Sequence, residues 1–590
     1  MPLTPAALAE LRALLGADGV LASDAALFTY EADSLVIEKF RPEVVALPRS
    51  TDEVCAVVRW ARAHGLSVTP RGAGTGLAGG CTCEQGGVSL SLNRMGRILR
   101  LDEERMFAWV HPGLVNLQLS QQLSPQGLYF APDPASQQVS TIGGNVSTNA
   151  GGPHCLKYGV TLNHVLGVTV VLADGVAVTL GGEACDAPDF DLASVVVGSE
   201  GTCAIVTEIC VRLLPAPEGV KTMLFDYADI TDACETVSRV IAAGIVPAAM
   251  EIMDRVTTGV VEAWLHMGLP TDADAVLLLE LDGPAVSLEP QAARIEQIAK
   301  AHRARSTRVA KDAAERALLW KGRKSAFGAF GRAASGFYVM DGVVPRTRLA
   351  EALAATYRLA AENGLTVGNV FHAGDGNLHP NVMFDAHSAK QQADALAVSQ
   401  EILRLCIRLG GTISGEHGVG MEKRSMMAEL FAPDDLAVME RVRHAFNPDG
   451  VLNPGKVLPG GGGCGEAHAN ARGPAQLGGL VAPHLRQRHR PLPGQPPCRR
   501  RLPPHRLLGE GVPATTLGAT TEPLRGDEAA ALAGELGLQL GHRPALSAPP
   551  ATSCAGAEML RRSTAPGSIL PSANPPIVLH RSNPAGAART

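Results

Sequence analysis

An α+β protein built in two folded parts is what this sequence predicts, on three observations. From Val44 to Gly76 it runs strand, helix, strand and glycine-rich turn, the opening of an α/β unit. Residues 218–345 begin again in the order strand–helix–strand–strand–helix, the pattern of a ferredoxin-like layer, a helix-backed antiparallel sheet. At 590 residues, 46% apolar and 19% charged, the chain is long enough for at least two sizeable cores.

The elements follow in order. Residues 4–16 read as an amphipathic helix with Leu8, Leu11, Leu14 and Leu15 on one side. Val44–Leu47 is a short strand closed by Pro48. Thr51 is predicted to cap a helix with Asp52 and Glu53 in its first turn, buried through Val54, Val57, Val58 and Ala61 and ended by Gly65. Strands are predicted near 67–69, 88–92, 98–101 and 107–110, and a helix near 116–123. Residues 132–159 are rich in Gly, Ser, Thr and Asn with little periodicity, and loops of that length usually bind something. Residues 167–180 form a hairpin on an Asp-Gly turn. An apolar run at 195–197 leads into Gly198–Thr202, read as a loop at a strand end, and 203–214 is a last strand before Pro215 and Pro217. In the second part, strands at 222–227, 248–253 and 275–282 alternate with helices at 230–243 and 290–304. A helix at 347–362, a strand at 365–371 and helices at 389–409 and 434–446 complete it.

Three glycine-rich segments stand out. PRGAGTG, from Pro70 to Gly76, follows a strand and lets backbone N–H groups converge on an anion. It is neither G-x-G-x-x-G nor a Walker loop, and taken alone a tight turn explains it as well as a ligand does. TIGGNVSTNAGG at 141–152 lets the main chain approach a planar ligand at Gly143 and Gly144, with Thr141, Asn145, Ser147 and Asn149 as neutral hydrogen-bonding groups. GSEGT at 198–202 is the third. Together they suggest a large dinucleotide held mainly by backbone.

Residues 38–215 resemble the FAD-binding domain shared by vanillyl-alcohol-oxidase and cell-wall-reductase type flavoproteins, the FAD-binding oxidoreductase/transferase type 4 family. The match rests on VVALPRSTDEV at 44–54, PRGAGTGLAGG at 70–80, PDPASQQVSTIGG at 132–144, NAGG at 149–152, KYG at 157–159 and GSEGTCAIVTE at 198–208. The resemblance implies that Arg71–Gly76 surrounds the pyrophosphate, that Pro132–Asn149 runs beside the isoalloxazine ring, and that Ile205 and its neighbours line the adenine side. The cofactor positions it implies are Pro70, Arg71, Gly72, Ala73, Gly74, Thr75, Gly76, Pro132, Asp133, Thr141, Gly144, Asn145, Ser147, Asn149, Gly201, Ile205 and Asn453. Ala73 stands where some covalent relatives carry histidine, so non-covalent FAD is expected.

The second half carries the histidines. In VFHAGDGNLHPNVM, His372 and His379 flank a Gly-rich turn and can face each other, while His379 and Asn381 share a strand face. In GTISGEHGVGMEKR, Glu416 and His417 sit between glycines. Two histidines and a carboxylate fit a divalent metal with open positions, although ordinary turn histidines fit the bare spacing too. Residues 220–459 resemble the substrate-side domain of the 2-hydroxyacid-oxidising branch: D-lactate dehydrogenase, the FAD subunit of glycolate oxidase, and D-2-hydroxyglutarate dehydrogenase. The H-x-G-D-G-N-x-H-x-N and G-x-I-S-x-E-H-G-x-G motifs stand at 372–381 and 411–420. The resemblance implies a metal, zinc or manganese, on His372, His379 and Glu416, with Asn381 and His417 beside the substrate. It also implies that Arg323 in LWKGRKSAFGAFGR holds the substrate carboxylate, and that NPGK at 453–456 returns to the flavin. Val339 or a neighbour is apolar where the hydroxyglutarate enzyme has lysine, which favours a short monocarboxylate.

The expected function is FAD-dependent oxidation of glycolate or D-lactate to the 2-oxo acid, with His417 as base. The alternatives are D-2-hydroxyglutarate dehydrogenase, a metal-free oxidase of the same superfamily, and a non-catalytic FAD-binding subunit. A net charge of −6 argues against a nucleic-acid partner. Scattered cysteines form no disulfide framework or cluster motif, so electrons are expected to leave the chain by another route. The resemblance to the glycolate oxidase subunit implies a second FAD-type subunit and an iron–sulfur subunit, with a quinone or cytochrome as the alternative acceptor. With no signal-peptide pattern and no long apolar run, a cytoplasmic protein, at most peripheral at the membrane, is expected. The predicted boundaries are 1–217 for FAD, 218–430 for substrate and metal, 431–460 returning to the flavin, and a tail at 461–590. That tail carries 14 Arg, no Lys, 18 of the 41 Pro and no aromatic residue, a net of +7 against −13 for the rest. It is expected to be dispensable: a non-native reading of GC-rich sequence, a proline-rich linker to a partner-binding segment, or a disordered extension.

Overall fold

The computed structural model describes residues 3–35, 37–184 and 190–459, so the expectation about the tail lies outside the described residues. The first sheet has four strands in the order Val20–Leu21, Val44–Ala46, Val88–Ser91, Val68–Arg71. The last three are parallel and Val20–Leu21 is antiparallel at one edge. Val44–Ala46 and Val88–Ser91 are buried throughout, as parallel strands covered on both faces must be. The helix Thr51–Ala63 covers the sheet through Val54, Val57, Val58 and Ala61. Its cap is Ser50, not Thr51: the Ser50 hydroxyl accepts the Glu53 N–H at 3.2 Å, and Thr51 is the first helical residue.

A second, antiparallel sheet runs Ile98–Asp102, Phe107–Val110, Ile205–Arg212, Val165–Val171, Ala177–Gly181. The Asp-Gly turn of its hairpin has Gly175 at φ +75°, the left-handed region that a residue without Cβ occupies freely. Two expectations change here. The apolar run before GSEGT is the end of a helix, Leu192–Val196, capped by Asp191, whose carboxylate accepts the Ser194 N–H. The stretch without periodicity contains a helix, Ile142–Thr148, capped by Thr141.

The third sheet is antiparallel, in the order Ser306–Val309, Gly219–Tyr227, Ala275–Gly283, Ala249–Asp254, Thr366–His372. Beyond it Pro380–Phe384 pairs with Thr366–His372 and with Gly336–Val339. Alternation sorts its side chains: Phe225, Leu277 and Leu279 face helices Ile230–Ala242, Ala285–Ala301 and Leu349–Glu362. Leu224, Val276 and Leu278 face Arg255–Leu265, Ala313–Lys324 and Ala326–Ala333. The sheet is therefore covered on both faces, and its opening order is strand–helix–strand–helix–strand–helix. The helix absent from the predicted order is Arg255–Leu265, RVTTGVVEAWL, whose β-branched residues and glycine give it little intrinsic propensity. The Asp254 cap on Thr257 N–H (2.8 Å) and burial of Thr257, Thr258 and Val261 override that. After the helix Pro433–Phe446 the chain returns to the first sheet, where Val68 and residues 451–453 exchange two backbone hydrogen bonds of 2.8 Å. Among the described residues no helix is long and apolar enough to cross a membrane.

Candidate active site

A cavity of about 880 Å³ joins the two halves, at the upper end of the roughly 300–1,000 Å³ of cofactor and ligand sites. All seven residues Pro70–Gly76 line it, with Thr141, Gly144, Asn145 and Ser147 from the helix beside them. Gly72 explains the close approach: a Cβ there would lie 2.6 Å from Thr141 Oγ1. Two buried donors in the wall, Asn145 Nδ2 and Ser140 Oγ, have no protein partner, and a ligand rich in acceptors would satisfy both. The Arg71 guanidinium turns behind its loop, donating to Ala32 O at 2.8 Å and lying over the Tyr30 ring.

Seven expected residues are not in the wall. Ile205 is buried in the first core, and its neighbours Ala204 and Val206 line the cavity instead, because successive strand residues face opposite ways. Gly201 stands behind Pro70, where a Cβ would meet Pro70 Cγ at 2.4 Å. Asn453 donates to Gly80 O and Glu200 O, and Asn149 accepts from Leu162 N–H. Asp133 pairs with His154 at 2.9 Å, and Pro132 accepts from Asn116. Asn381 donates to His379 O at 2.7 Å. These seven shape the wall from outside it.

The same cavity is lined by Arg323, His372, His379, Glu416 and His417 from the second half of the chain. Strand register brings the first set together, since Glu251 stands opposite His372. His372 Nδ1 donates to Glu251 Oε1 at 2.7 Å, and His379 Nδ1 donates to Met340 O at 3.1 Å. Each neutral ring therefore presents the lone pair of Nε2, and both Nε2 atoms lie 3.1 Å from the same oxygen, Glu416 Oε1. Three acceptors facing one another need a proton or a cation between them, and their ligand atoms lie within 4.8 Å of one another. The N₂O donor set, with Glu251 behind His372, fits a divalent ion. Burial disfavours charge on His372, but Glu251 and Glu416 outweigh it and raise its pKa well above the usual range. Burial likewise opposes ionisation of Glu416, and His372 outweighs it, lowering that pKa well below the usual range.

Sequence reasoning missed three carboxylates. Glu251 accepts Arg323 Nε at 2.6 Å as well as His372, and its signal was an acid inside the otherwise apolar run AMEIM, ahead of Asp254. Asp341, fully buried, accepts the N–H groups of Gly415, Glu416 and His417, the Ser414 hydroxyl and Lys423 Nζ. Four of these five donors meet Oδ2 alone, while Oδ1 accepts only the Glu416 N–H at 3.1 Å, and Asp341 forms with His379 and His417 a second group whose ligand atoms lie within 4.8 Å of one another. Glu200, in the wall, accepts the N–H groups of Val419 and Gly420. His417 stacks on His379 with ring centres 5.0 Å apart, and burial lowers its pKa to about 4.

Two family models match the chain: "FAD binding domain" over residues 42–181 and "FAD linked oxidases, C-terminal domain" over 216–457. The glycolate oxidase subunit GlcD of Escherichia coli K12 is 42% identical over 440 residues, 75% of this chain and 88% of that protein. The chain belongs to the FAD-linked oxidase family. GlcD of Bacillus subtilis is 40% identical over 74% of this chain and 93% of its own length. A D-lactate dehydrogenase of Anaerostipes hadrus is 34% identical, covering 73% and 92%. Among solved structures, p-cresol methylhydroxylase superposes with a TM-score of 0.67 at 17% identity, covering 77% of this chain and 96% of that one. At that identity the likeness speaks to the fold. The family model over 42–181 gives this FAD-linked oxidase an FAD-binding domain, and the unpartnered donors and close backbone approach of the loops at 70–76 and 140–152 fit that cofactor.

Proposed function

We propose that this FAD-linked oxidase oxidises a short 2-hydroxy acid, glycolate or D-lactate, to the 2-oxo acid. The observation that carries the reading is that Arg323, the His372–His379–Glu416 cluster and His417 line the same cavity as the FAD-binding loops. The names of the GlcD and D-lactate dehydrogenase relatives support it.

When bound, non-covalent FAD supplies a two-electron acceptor, and a zinc or manganese ion on His372, His379 and Glu416 would polarise the substrate's 2-hydroxyl. The protein does the rest. Arg323 holds the substrate carboxylate, its Nε anchored by Glu251 so that the guanidinium plane is set in advance. His417, neutral at pH 7, takes the hydroxyl proton at its free imidazole nitrogen. Asp341 holds the backbone of Glu416 and His417, so the ligand and the base keep their spacing. Val339 and Phe337 in the wall are apolar, in keeping with a monocarboxylate, and Lys324, the other basic residue of the Arg323 helix in the wall, is exposed. Electrons then leave to a second FAD-type subunit and an iron–sulfur subunit, or to a quinone or cytochrome. We also propose part boundaries near residues 217 and 430.

Anaerobic addition of glycolate, D-lactate, L-lactate and D-2-hydroxyglutarate to the purified, FAD-loaded protein tests this. Bleaching of the flavin band by glycolate or D-lactate is expected. Bleaching by none of the four would overturn the reading, and absence of zinc and manganese on metal analysis would remove the cation from it.

A further inference from the structure

Glu200 has an unusual position. It sits in the left-handed region at φ +52° without being glycine, and its side chain crosses from the flavin-side loop to the loop that carries the base. Oε1 accepts Val419 N–H at 2.7 Å, and Gly420 N–H lies 3.1 and 3.0 Å from Oε1 and Oε2. The fit is close on both sides: a Cβ on Gly418 would lie 2.7 Å from Oε1, and one on Gly80 would lie 2.9 Å from Oε2. Its backbone is fastened to the FAD wall, with N–H donating to Ser147 O at 2.8 Å and C=O accepting Asn453 Nδ2 at 2.6 Å. One residue thus links the helix Ile142–Thr148 to amides two and three positions beyond His417.

We propose that Glu200 is a positioning residue through which the FAD-binding loops hold the loop carrying Glu416 and His417. Asp341 grips that loop from the second half at residues 414–417, and Glu200 grips it from the first half at 419–420. The Glu200 grip crosses to the FAD wall at the amides nearest His417, ahead of the Met421 and Glu422 N–H groups that Ala78 O accepts at 2.9 and 3.3 Å, so ordering of that wall by the cofactor is passed through it to the base. The inference rests on the reading of His417 as the base, but the link itself is a matter of backbone geometry.

Two substitutions separate reach from charge. Glu200→Asp keeps the charge, suits the left-handed backbone and falls one methylene short; Glu200→Gln keeps the reach and one acceptor oxygen. The first readout is hydrogen exchange over 411–424 in the full chain, stripped of FAD and then reloaded. FAD should slow exchange there about tenfold in wild type and E200Q, and less than about threefold in E200D. The second is the flavin-reduction rate at saturating glycolate or D-lactate. It should fall about tenfold or more in E200D, with apparent substrate Kd and FAD content nearly unchanged, while E200Q stays within about threefold of wild type. Should E200D fail to fold, Gly80→Ala crowds the same carboxylate from the flavin side and must give the E200D pattern. Equal protection in all variants, or slowing in E200Q but not E200D, overturns the proposal. If no 2-hydroxy acid reduces the wild-type flavin, the functional reading fails, and the exchange experiment alone decides the link.

Discussion

His417 must be unprotonated to take a proton, and its surroundings keep it so. Burial lowers its pKa to about 4 against the opposing pull of Asp341, whose oxygens are already occupied by five donors. Replacing His417 with Asn should slow flavin reduction by about 10²–10⁴-fold. FAD per chain, read from the visible band, should be unchanged; a parallel loss of FAD would instead make the residue structural. Glu251 makes a different prediction. It is buried between Arg323 and His372, and Arg323 first, with the His372 ring, lowers its pKa despite burial. Glu251→Ala should weaken divalent-ion binding by about 10–100-fold, read by metal analysis after dialysis. Full metal retention would show that His372 needs no carboxylate behind it. The histidines were legible from their motifs. Glu251 and Asp341 were not, because each acts on partners 121 and 76 residues away, and only strand register or loop closure brings such residues together.

At the scale of elements, a four-residue helix, Cys155–Tyr158, ties the first half to the third sheet. His154 just before it lies between Asp133 and Glu280 and stacks on Trp320 at 5.6 Å, while Lys157 and Tyr158 both reach Asp282. Leu156 fills the space beside Gly374, in the bend between His372 and His379, where a Cβ would lie 2.7 Å from it. Burial opposes charge on His154, but Asp133 and Glu280 outweigh it and raise its pKa to about 10. A histidine whose folded pKa is raised contributes its full stabilisation below the unfolded value of about 6.5 and loses it as pH rises through about 10. His154→Gln should therefore cost about 1–3 kcal/mol at pH 6 and little at pH 10.5, measured by thermal or urea unfolding at both values. An equal cost at both would mean that packing on Trp320, not charge, is what His154 contributes. The sequence marked strong helices such as Leu349–Glu362 because their apolar spacing is regular. It hid Arg255–Leu265, because a weak helix former there is held by its cap and by the sheet it covers.

At the scale of the whole molecule, the last strand-like contact among the described residues is the return of residues 451–453 to Val68, and the family model ends at residue 457. We expect a chain truncated after Pro459 to keep its FAD content, its melting temperature and its activity on a 2-hydroxy acid within error of the full chain. Loss of flavin or of folding on truncation would show that residues 461–590 pack on the body.

Local chemistry determined much of this on its own: the glycine loops, the two histidine motifs, the two-part α+β order and the composition break near residue 460 are all readable along the chain. Those features arise from backbone freedom, periodicity and spacing, which neighbouring residues settle among themselves. Which of Arg323, Lys321, Lys324 and Arg332 enters the cavity as a buried cation was open in the sequence. The fold decided it by placing Arg323, 3% exposed, opposite Glu251. The tertiary structure also turned Ile205 into the core and Ala204 and Val206 toward the cavity, and recruited Glu200, Glu251 and Asp341. A buried carboxylate needs its donors from distant segments, so its role exists only once those segments have met.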